Sequence, residues 1–304
     1  MENSNEILKD LRLIIPPLTS DTHKGQAGRI GVVGGCVTYP GAAYFAAISA
    51  LRVGCDLVYV FCTKEASPVI KSFSPELIVH PILDSPNFEE EILLHLPSIH
   101  SLVIGPGLGR DKAIFSSVHH LVDLAKERKL PLVFDADSLF YIKDNPKLIE
   151  YYDKAILTPN KVEFARLYKS FFQKELDRDP TKEDVKAISK ILGNVTIVKK
   201  GVADIITNGT HTIICDEPGS ARRCGGQGDL LSGSMGVFNY WAHKFYNNKP
   251  VDQNNLYNVT MMAAFGACML TRRCNNFAFK KFQRSTITTD MIAEIHNAFT
   301  SIFA

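Results

Sequence analysis

No two of the seven cysteines (Cys36, Cys55, Cys62, Cys215, Cys224, Cys268 and Cys274) have Cys-x-x-Cys spacing, and none combines with histidine at zinc-site intervals. An odd, scattered set reads as reduced thiols in a reducing compartment. Also missing is an apolar run of the ~20 residues needed to cross a bilayer. The most apolar stretch, residues 39–62, is interrupted by Arg52 and Asp56. The N-terminus carries Glu2, Glu6 and Asp10 and no apolar signal region, which argues against secretion and against a mitochondrial presequence. A cytoplasmic location is expected. Charge of one sign is not in excess either: 34 basic residues face 32 acidic ones. That balance makes neither nucleic acid nor a membrane surface an expected partner. The chain has no Gly-Lys-Ser/Thr triplet that would close a Walker A loop, no internal repeat and no linker of glycine, serine and proline. What remains is 304 residues, 45% hydrophobic and 22% charged, enough to bury a core without staples. The expectation is one domain over 1–304, with residues 1–20 as an N-terminal segment that can be helical.

Short apolar runs alternate with helical patterns. Runs at residues 29–35, 56–62, 76–80, 101–105, 131–135 and 155–158 read as strands. Residues 41–53 and 111–128 read as helices between them. Two-sided apolar strands joined by helices imply a parallel sheet covered on both faces. After residue 195 the pattern changes to strands at 195–199, 204–207 and 211–215. Asn208-Gly209 is expected to form a two-residue hairpin connection, so the sheet should gain antiparallel edge strands. Helices are expected over 229–246, 255–273 and 288–302. Residues 170–184 read as a loop or helix start, with Thr181 and Asp184 as a cap.

In such a sheet, ligands sit beyond the carboxyl ends of the strands. Four loops there carry candidate chemistry. The strongest is Gly219-Ser220-Ala221-Arg222-Arg223-Cys224, continued by Gly225-Gly226-Gln227-Gly228-Asp229 and an apolar helix. Its glycines let the backbone approach a ligand, and amides at a helix N-terminus favour phosphate. Asp229 can cap that helix or take a proton from an attacking hydroxyl. The second loop is Asn160-Lys161-Val162-Glu163-Phe164-Ala165-Arg166, where Asn160 and Glu163 can share one face or form a plain helix cap. The third is Lys200-Gly201-Val202-Ala203-Asp204. The fourth, Gly105-Pro106-Gly107-Leu108-Gly109-Arg110, has Gly-x-Gly-x-Gly spacing. That is not the dinucleotide fingerprint, so a Rossmann dehydrogenase is not expected.

The Gly-x-Gly-Asp turn resembles the anion hole of the ribokinase-like superfamily, whose fold is a three-layer α/β/α sandwich with a mostly parallel sheet and antiparallel edge strands. Further segments narrow the resemblance: His23-Lys24-Gly25-Gln26-Ala27-Gly28-Arg29, Gly34-Gly35, Asp135-Ala136-Asp137-Ser138-Leu139, and the Cys224 to Asp229 turn. In this order they are similar to the ATP-dependent NAD(P)H-hydrate dehydratases, from about residue 10 to the C-terminus. The form of the glycine turn is similar to that of eukaryotic members, which use ATP. The resemblance implies dehydration of (S)-NADHX and (S)-NADPHX to NADH and NADPH, through phosphorylation of the C6 hydroxyl and loss of phosphate. Asp229 would be the base. Gly107, Asn160 to Arg166 and Asp229 would contact the hydrate. Lys200 to Asp204 and Gly219 to Gly228 would contact ATP. Mg2+ would arrive on the ATP phosphates without direct protein ligands, oriented through water by Asn160 and Glu163. The functional partner would be a separate epimerase, and a homo-oligomer is compatible with the reading.

Lys24 and Arg29 stay open between phosphate partners and surface cations, and Asp135 and Asp137 between site residues and helix caps. Two alternatives share the fold: a kinase that leaves a stable phosphoester, and a silent binding protein, against which the intact glycine run and Asp229 argue.

Overall fold

Strand β1 (Arg29–Val33) is the hub of the architecture in the computed structural model, which describes residues 2–247 and 257–304. It pairs in parallel with β2 (Leu57–Phe61) on one side and β4 (Ser101–Ile104) on the other. The sheet runs β3-β2-β1-β4-β5-β6-β7-β8-β9. The remaining strands are β3 (Ile78–His80), β5 (Leu132–Phe134), β6 (Ala155–Leu157), β7 (Thr196–Lys199), β8 (Asp204–Thr207) and β9 (Thr212–Cys215). Pairing is parallel through β7 and antiparallel from β7 to β9. The expected mostly parallel sheet with antiparallel strands at one edge is therefore present.

Side chains of successive strand residues alternate between faces, and here both faces are buried. Val103, Val133 and Ile156 belong to one core with Ile30 and Val32. Leu102, Ile104, Phe134 and Leu157 belong to the other. The helices, in chain order, are α1 (Glu2–Ile14), α2 (Pro40–Val53), α3 (Ser67–Phe73), α4 (Phe88–His95), α5 (Lys112–Glu127), α6 (Asp137–Ile142), α7 (Lys161–Phe172), α8 (Lys182–Ile191), α9 (Gln227–Tyr246), α10 (Val259–Phe282), α11 (Thr288–Ala293) and α12 (Ile295–Phe303). Residues of α1, α2, α9, α10 and α12 fill the first core, and those of α4, α5, α7 and α8 the second. The approach of α2 to α9 depends on Gly233, where a Cβ would lie 2.0 Å from the Ala46 carbonyl oxygen. Among the described residues no helix is long and apolar enough to cross a membrane.

Three expectations need correction. The β8–β9 connection spans residues 208–211, four residues, because Thr207 pairs with Thr212. The Asn208 Oδ1 accepts from the amides of Thr210 (3.1 Å) and His211 (2.8 Å), and the Asn208 amide donates to the His211 carbonyl at 3.4 Å, so side chain and backbone close this wider turn together. The C-terminal helix expected over 288–302 is two helices. They break at Glu294, whose amide reaches back only three residues to Met291 and whose buried carboxylate pairs with Lys281. Helix α10 runs nine residues beyond its expected end at 273, to Phe282; its expected start at 255–256 lies outside the described residues. The Thr181–Asp184 cap forms as anticipated, and α1 makes the N-terminal segment helical.

Candidate active site

The carboxyl ends of β4 to β7 and the N-terminus of α9 converge on four ionisable side chains: Asp135, Glu163, Lys200 and Asp229. Each arrives for a local reason. Asp135 ends β5 and is buried; its Oδ1 accepts from the Thr158 hydroxyl at 2.7 Å and from Lys200 Nζ at 2.8 Å. Glu163 sits in the first turn of α7 because Asn160 caps that helix. The Asn160 Oδ1 accepts from the amides of Val162 and Glu163, and the Asn160 amide donates back to Glu163 Oε2 at 2.8 Å. The plain helix cap is thus real, yet Glu163 is no surface acid: Lys200 Nζ lies 3.9 Å from its Oε2. Lys200 follows β7, with its amide bonded to the Pro159 carbonyl at 2.8 Å.

Asp229 occupies the first turn of α9, and Gly226 takes the cap position with φ +92°. Among the described residues no donor reaches the Asp229 carboxylate. Burial pushes its pKa up to about 8, and the nearby Asp135 and Glu163 charges add to the rise, against the pull of Lys200. Burial raises Glu163 as well. Burial works against the Lys200 charge, but its three carboxylate neighbours outweigh it and raise the pKa. One cation among three acids leaves an excess of negative charge, which favours the protonated form of the least satisfied acid, Asp229.

The glycines of the turn divide by role. A Cβ on Gly226 would lie 2.8 Å from Phe45 and 2.9 Å from Thr288 Oγ1, so this glycine is needed for the fold. A Cβ on Gly225 would meet nothing within 4 Å. One on Gly228 would meet only Lys200 Nζ at 3.4 Å and Asp135 Oδ2 at 3.7 Å. Those two glycines leave open space above the acids and amides.

Other expected site residues are placed differently. Phe164 is fully buried in the second core, so only its main chain is available to a ligand. Lys161 turns away to Asp179, at 2.5 Å. Asp204 accepts two bonds from the Nε–Nη2 edge of the Arg272 guanidinium and one from the Gly201 amide, so its carboxylate shapes the 200–204 loop. Val202 is 93% exposed on that loop. In the glycine turn, Asn275 Oδ1 accepts from the Ser220 amide, Arg222 donates to the Thr286 carbonyl, and Thr288 Oγ1 donates to the Gly225 carbonyl. Arg223 donates to the Ser220 carbonyl and Gln227 to that of Arg222. Gly107 is wedged so tightly that a Cβ would lie 2.1 Å from the Tyr39 carbonyl oxygen. Arg29 opens β1 at the amino end of the sheet, opposite the site. The turn before it is held there by Asp56, which accepts from the amides of Gly25 and Ala27, and by Trp241, which donates to the Ala27 carbonyl.

The bracing residues Arg272, Asn275 and Thr288 escaped sequence reasoning because they come from helices distant in the chain. Asp135 was only half legible, since an acid after a strand also suits a cap.

A family model for NAD(P)H-hydrate dehydratase matches residues 30–297. The chain belongs to the NAD(P)H-hydrate dehydratase family. It is 53% identical to the human ATP-dependent (S)-NAD(P)H-hydrate dehydratase over 303 residues, which is 100% of this chain and 85% of the relative. It is 50% identical to the enzyme of the same name from Ciona intestinalis, over 99% of this chain and 82% of the relative. Among solved structures, the ADP/ATP-dependent NAD(P)H-hydrate dehydratase from Bacillus subtilis, co-crystallised with ATP/Mg2+, superposes with a TM-score of 0.71 at 19% identity, covering 97% of each chain. A putative ribokinase II from E. coli in complex with ATP and Mg2+ gives 0.56 at 10% identity, over 90% of this chain and 99% of that one. At such identities these two speak for the fold alone, and the family's fold is ribokinase-like.

Proposed function

We propose that this chain is an ATP-dependent (S)-NAD(P)H-hydrate dehydratase, returning (S)-NADHX and (S)-NADPHX to NADH and NADPH with release of ADP and phosphate. The observation that carries the reading is the junction of the open glycine turn with Asp229 at the N-terminus of α9, in a chain 53% identical to an enzyme of that name.

Hydroxide is a poor leaving group, so loss of water from C6 of the hydrated ring is slow. Asp229 removes the proton of the C6 hydroxyl as its oxygen bonds to the γ-phosphorus of ATP and the bond to ADP breaks. The amides of Gly226, Gln227 and Gly228 receive the charge on the moving phosphoryl group, aided by the helix macrodipole. The ring nitrogen lone pair then expels phosphate from C6, and loss of the C5 proton restores the dihydronicotinamide. A carboxyl with its pKa near 8 is a suitable base, because a proton acceptor works best near the working pH.

Gly107, Asn160 and the first turns of α7 take the hydrate. The 200–204 loop and the turn from Gly219 to Gly228 take ATP. Lys200 has its ammonium among the acids and serves the phosphate end of ATP from there. Among the described residues no three His, Cys, Asp or Glu side chains form a cluster suited to a metal ion. The donor set fits an ion that comes with ATP: Asn160 Oδ1 is spent on the cap, and Glu163 Oε1 would be the carboxylate oxygen left to help hold the ion. When bound, magnesium would neutralise phosphate charge. The seven free cysteines favour a reducing compartment, and a separate epimerase would supply the S form.

The test is the reaction itself. With (S)-NADHX and ATP, dihydronicotinamide absorbance returns and free phosphate appears in equal amount. A stable phosphoester without recovered absorbance would establish a simple kinase instead.

A further inference from the structure

A second, cationic cavity adjoins the site on its substrate side. It encloses about 70 Å³ between α6 and α7, and Arg110, Asp137, Phe140, Lys143, Glu163 and Arg166 line it. Its lining carries three cations, Arg110, Lys143 and Arg166, against two acids, Asp137 and Glu163. Asp137 is committed to Arg110 (3.0 Å) and to the Gly109 amide (3.1 Å). Glu163 Oε2 is committed to the Asn160 amide and faces Lys200. Lys143 meets only Asp144, outside the cavity and 57% exposed. Arg166 has no hydrogen bond or ion pair among the described residues. Phe140 orients two of the cations: the Arg110 guanidinium carbon lies 4.4 Å and Lys143 Nζ 4.3 Å from its ring centre. Arg110 spends its Nε on Asp137, and its terminal N–H groups, which make no hydrogen bond among the described residues, remain for an incoming anion; an arginine fork suits a phosphate.

The position of the cavity names the anion. Its walls are the loop after β4, which contains Gly107, and the first two turns of α7. The glycine turn and the Lys200 loop, taken above as the ATP side, lie across Asp229. Glu163 belongs to both the cavity and the acid cluster.

We propose that this cavity receives a phosphate of the dinucleotide substrate, with Arg110, Lys143 and Arg166 holding the far end of the molecule while the hydrated ring lies at Asp229. The inference rests on the proposed function and deepens it. A remote phosphate so held fixes the direction of the C6 hydroxyl, which is how distant binding energy is put to use at a reacting atom. Two phosphates share this chemistry: the diphosphate common to both hydrates, and the 2′-phosphate of NADPHX.

Arg110→Met and Lys143→Met, made separately, test the proposal. KM is measured for both hydrates, the dissociation constants of NADH and NADPH by fluorescence titration, and thermal midpoint and ATP affinity alongside. The expected result is a rise of about tenfold in KM and a fall of about tenfold in dinucleotide affinity, with folding and ATP affinity retained. Loss with both dinucleotides assigns the diphosphate; loss with NADPH and its hydrate alone assigns the 2′-phosphate. Unchanged KM and dissociation constants in both folded variants would overturn the proposal, as would a fall in kcat alone. If the wild-type chain repaired neither hydrate, the proposed function would fall, and the NADH and NADPH titrations would still decide the cavity.

Discussion

Asp135 and Asp137 lie two residues apart and serve different cations: Asp135 meets Lys200 at 2.8 Å, and Asp137 meets Arg110 at 3.0 Å. The residue between them, Ala136, has φ +50° and ψ −121°, a backbone region that L-residues avoid. The sharp reversal sends one carboxylate into the acid cluster and the other toward the cationic cavity.

Such a conformation costs about 1–3 kcal/mol in a non-glycine residue. Glycine would relieve it, at an entropic cost of about 0.5–1 kcal/mol. Ala136→Gly is therefore expected to raise stability by about 1 kcal/mol, read as a higher urea midpoint with unchanged slope. A lower midpoint would mean that Ala136 is not strained.

The raised pKa of Asp229, about 8, has a sign that can be checked. Below the ordinary carboxyl range the group is protonated both folded and unfolded, and stability is unaffected. Between about 4 and 8 the folded chain holds a proton that the unfolded chain releases, so stability falls as pH rises and levels off above 8. Asp229→Asn removes this penalty. Its thermal midpoint should match wild type near pH 4 and exceed it by a growing margin up to pH 8, seen by calorimetry across that range. A constant difference at every pH would contradict the assignment.

The same value predicts the pH profile of catalysis. The free protein must lose the Asp229 proton before it can act as a base, so kcat/KM should climb between about pH 6 and 8 and flatten above. Lys200 pulls the Asp229 pKa down. Lys200→Met should therefore move the climbing limb to higher pH in addition to weakening ATP binding. A limb that stays in place would show that Lys200 does not set the charge on Asp229.

The glycines of the turn separate folding from binding. Gly226→Ala forces a side chain into the left-handed region against Phe45 and Thr288, and should cost about 1–3 kcal/mol of stability. Gly225→Ala and Gly228→Ala should fold like wild type, since their methyl groups have room. The methyl at 228 would stand where the phosphates approach, and should weaken ATP by about tenfold or more, measured by titration calorimetry. Normal ATP binding in Gly228→Ala would move the phosphate site elsewhere.

Sequence legibility followed range. The parallel strands were readable because both of their faces are buried, and the glycine turn because its chemistry is contiguous. The Asn208 turn was misjudged because its side chain joins the backbone in closing a wider, four-residue connection. The Glu294 break was hidden because it depends on Lys281 from another helix. At the site, Asp229, Glu163 and Lys200 stood in short motifs. Phe140 and Lys143 did not: one lies on the short helix α6 and the other caps its end, and only the tertiary structure brings Arg110 and Lys143 to the same ring. Phe164 is a motif position whose side chain belongs to the core, so its main chain is what it can offer a ligand.

The central claim is that the carboxylate of Asp229 frees the oxygen that receives the phosphoryl group. Its most direct test is the rate at which Asp229→Asn restores dihydronicotinamide absorbance from (S)-NADHX at saturating ATP. The account predicts a fall of at least about a hundredfold in a variant that folds and binds ATP normally; a rate near that of wild type would contradict it.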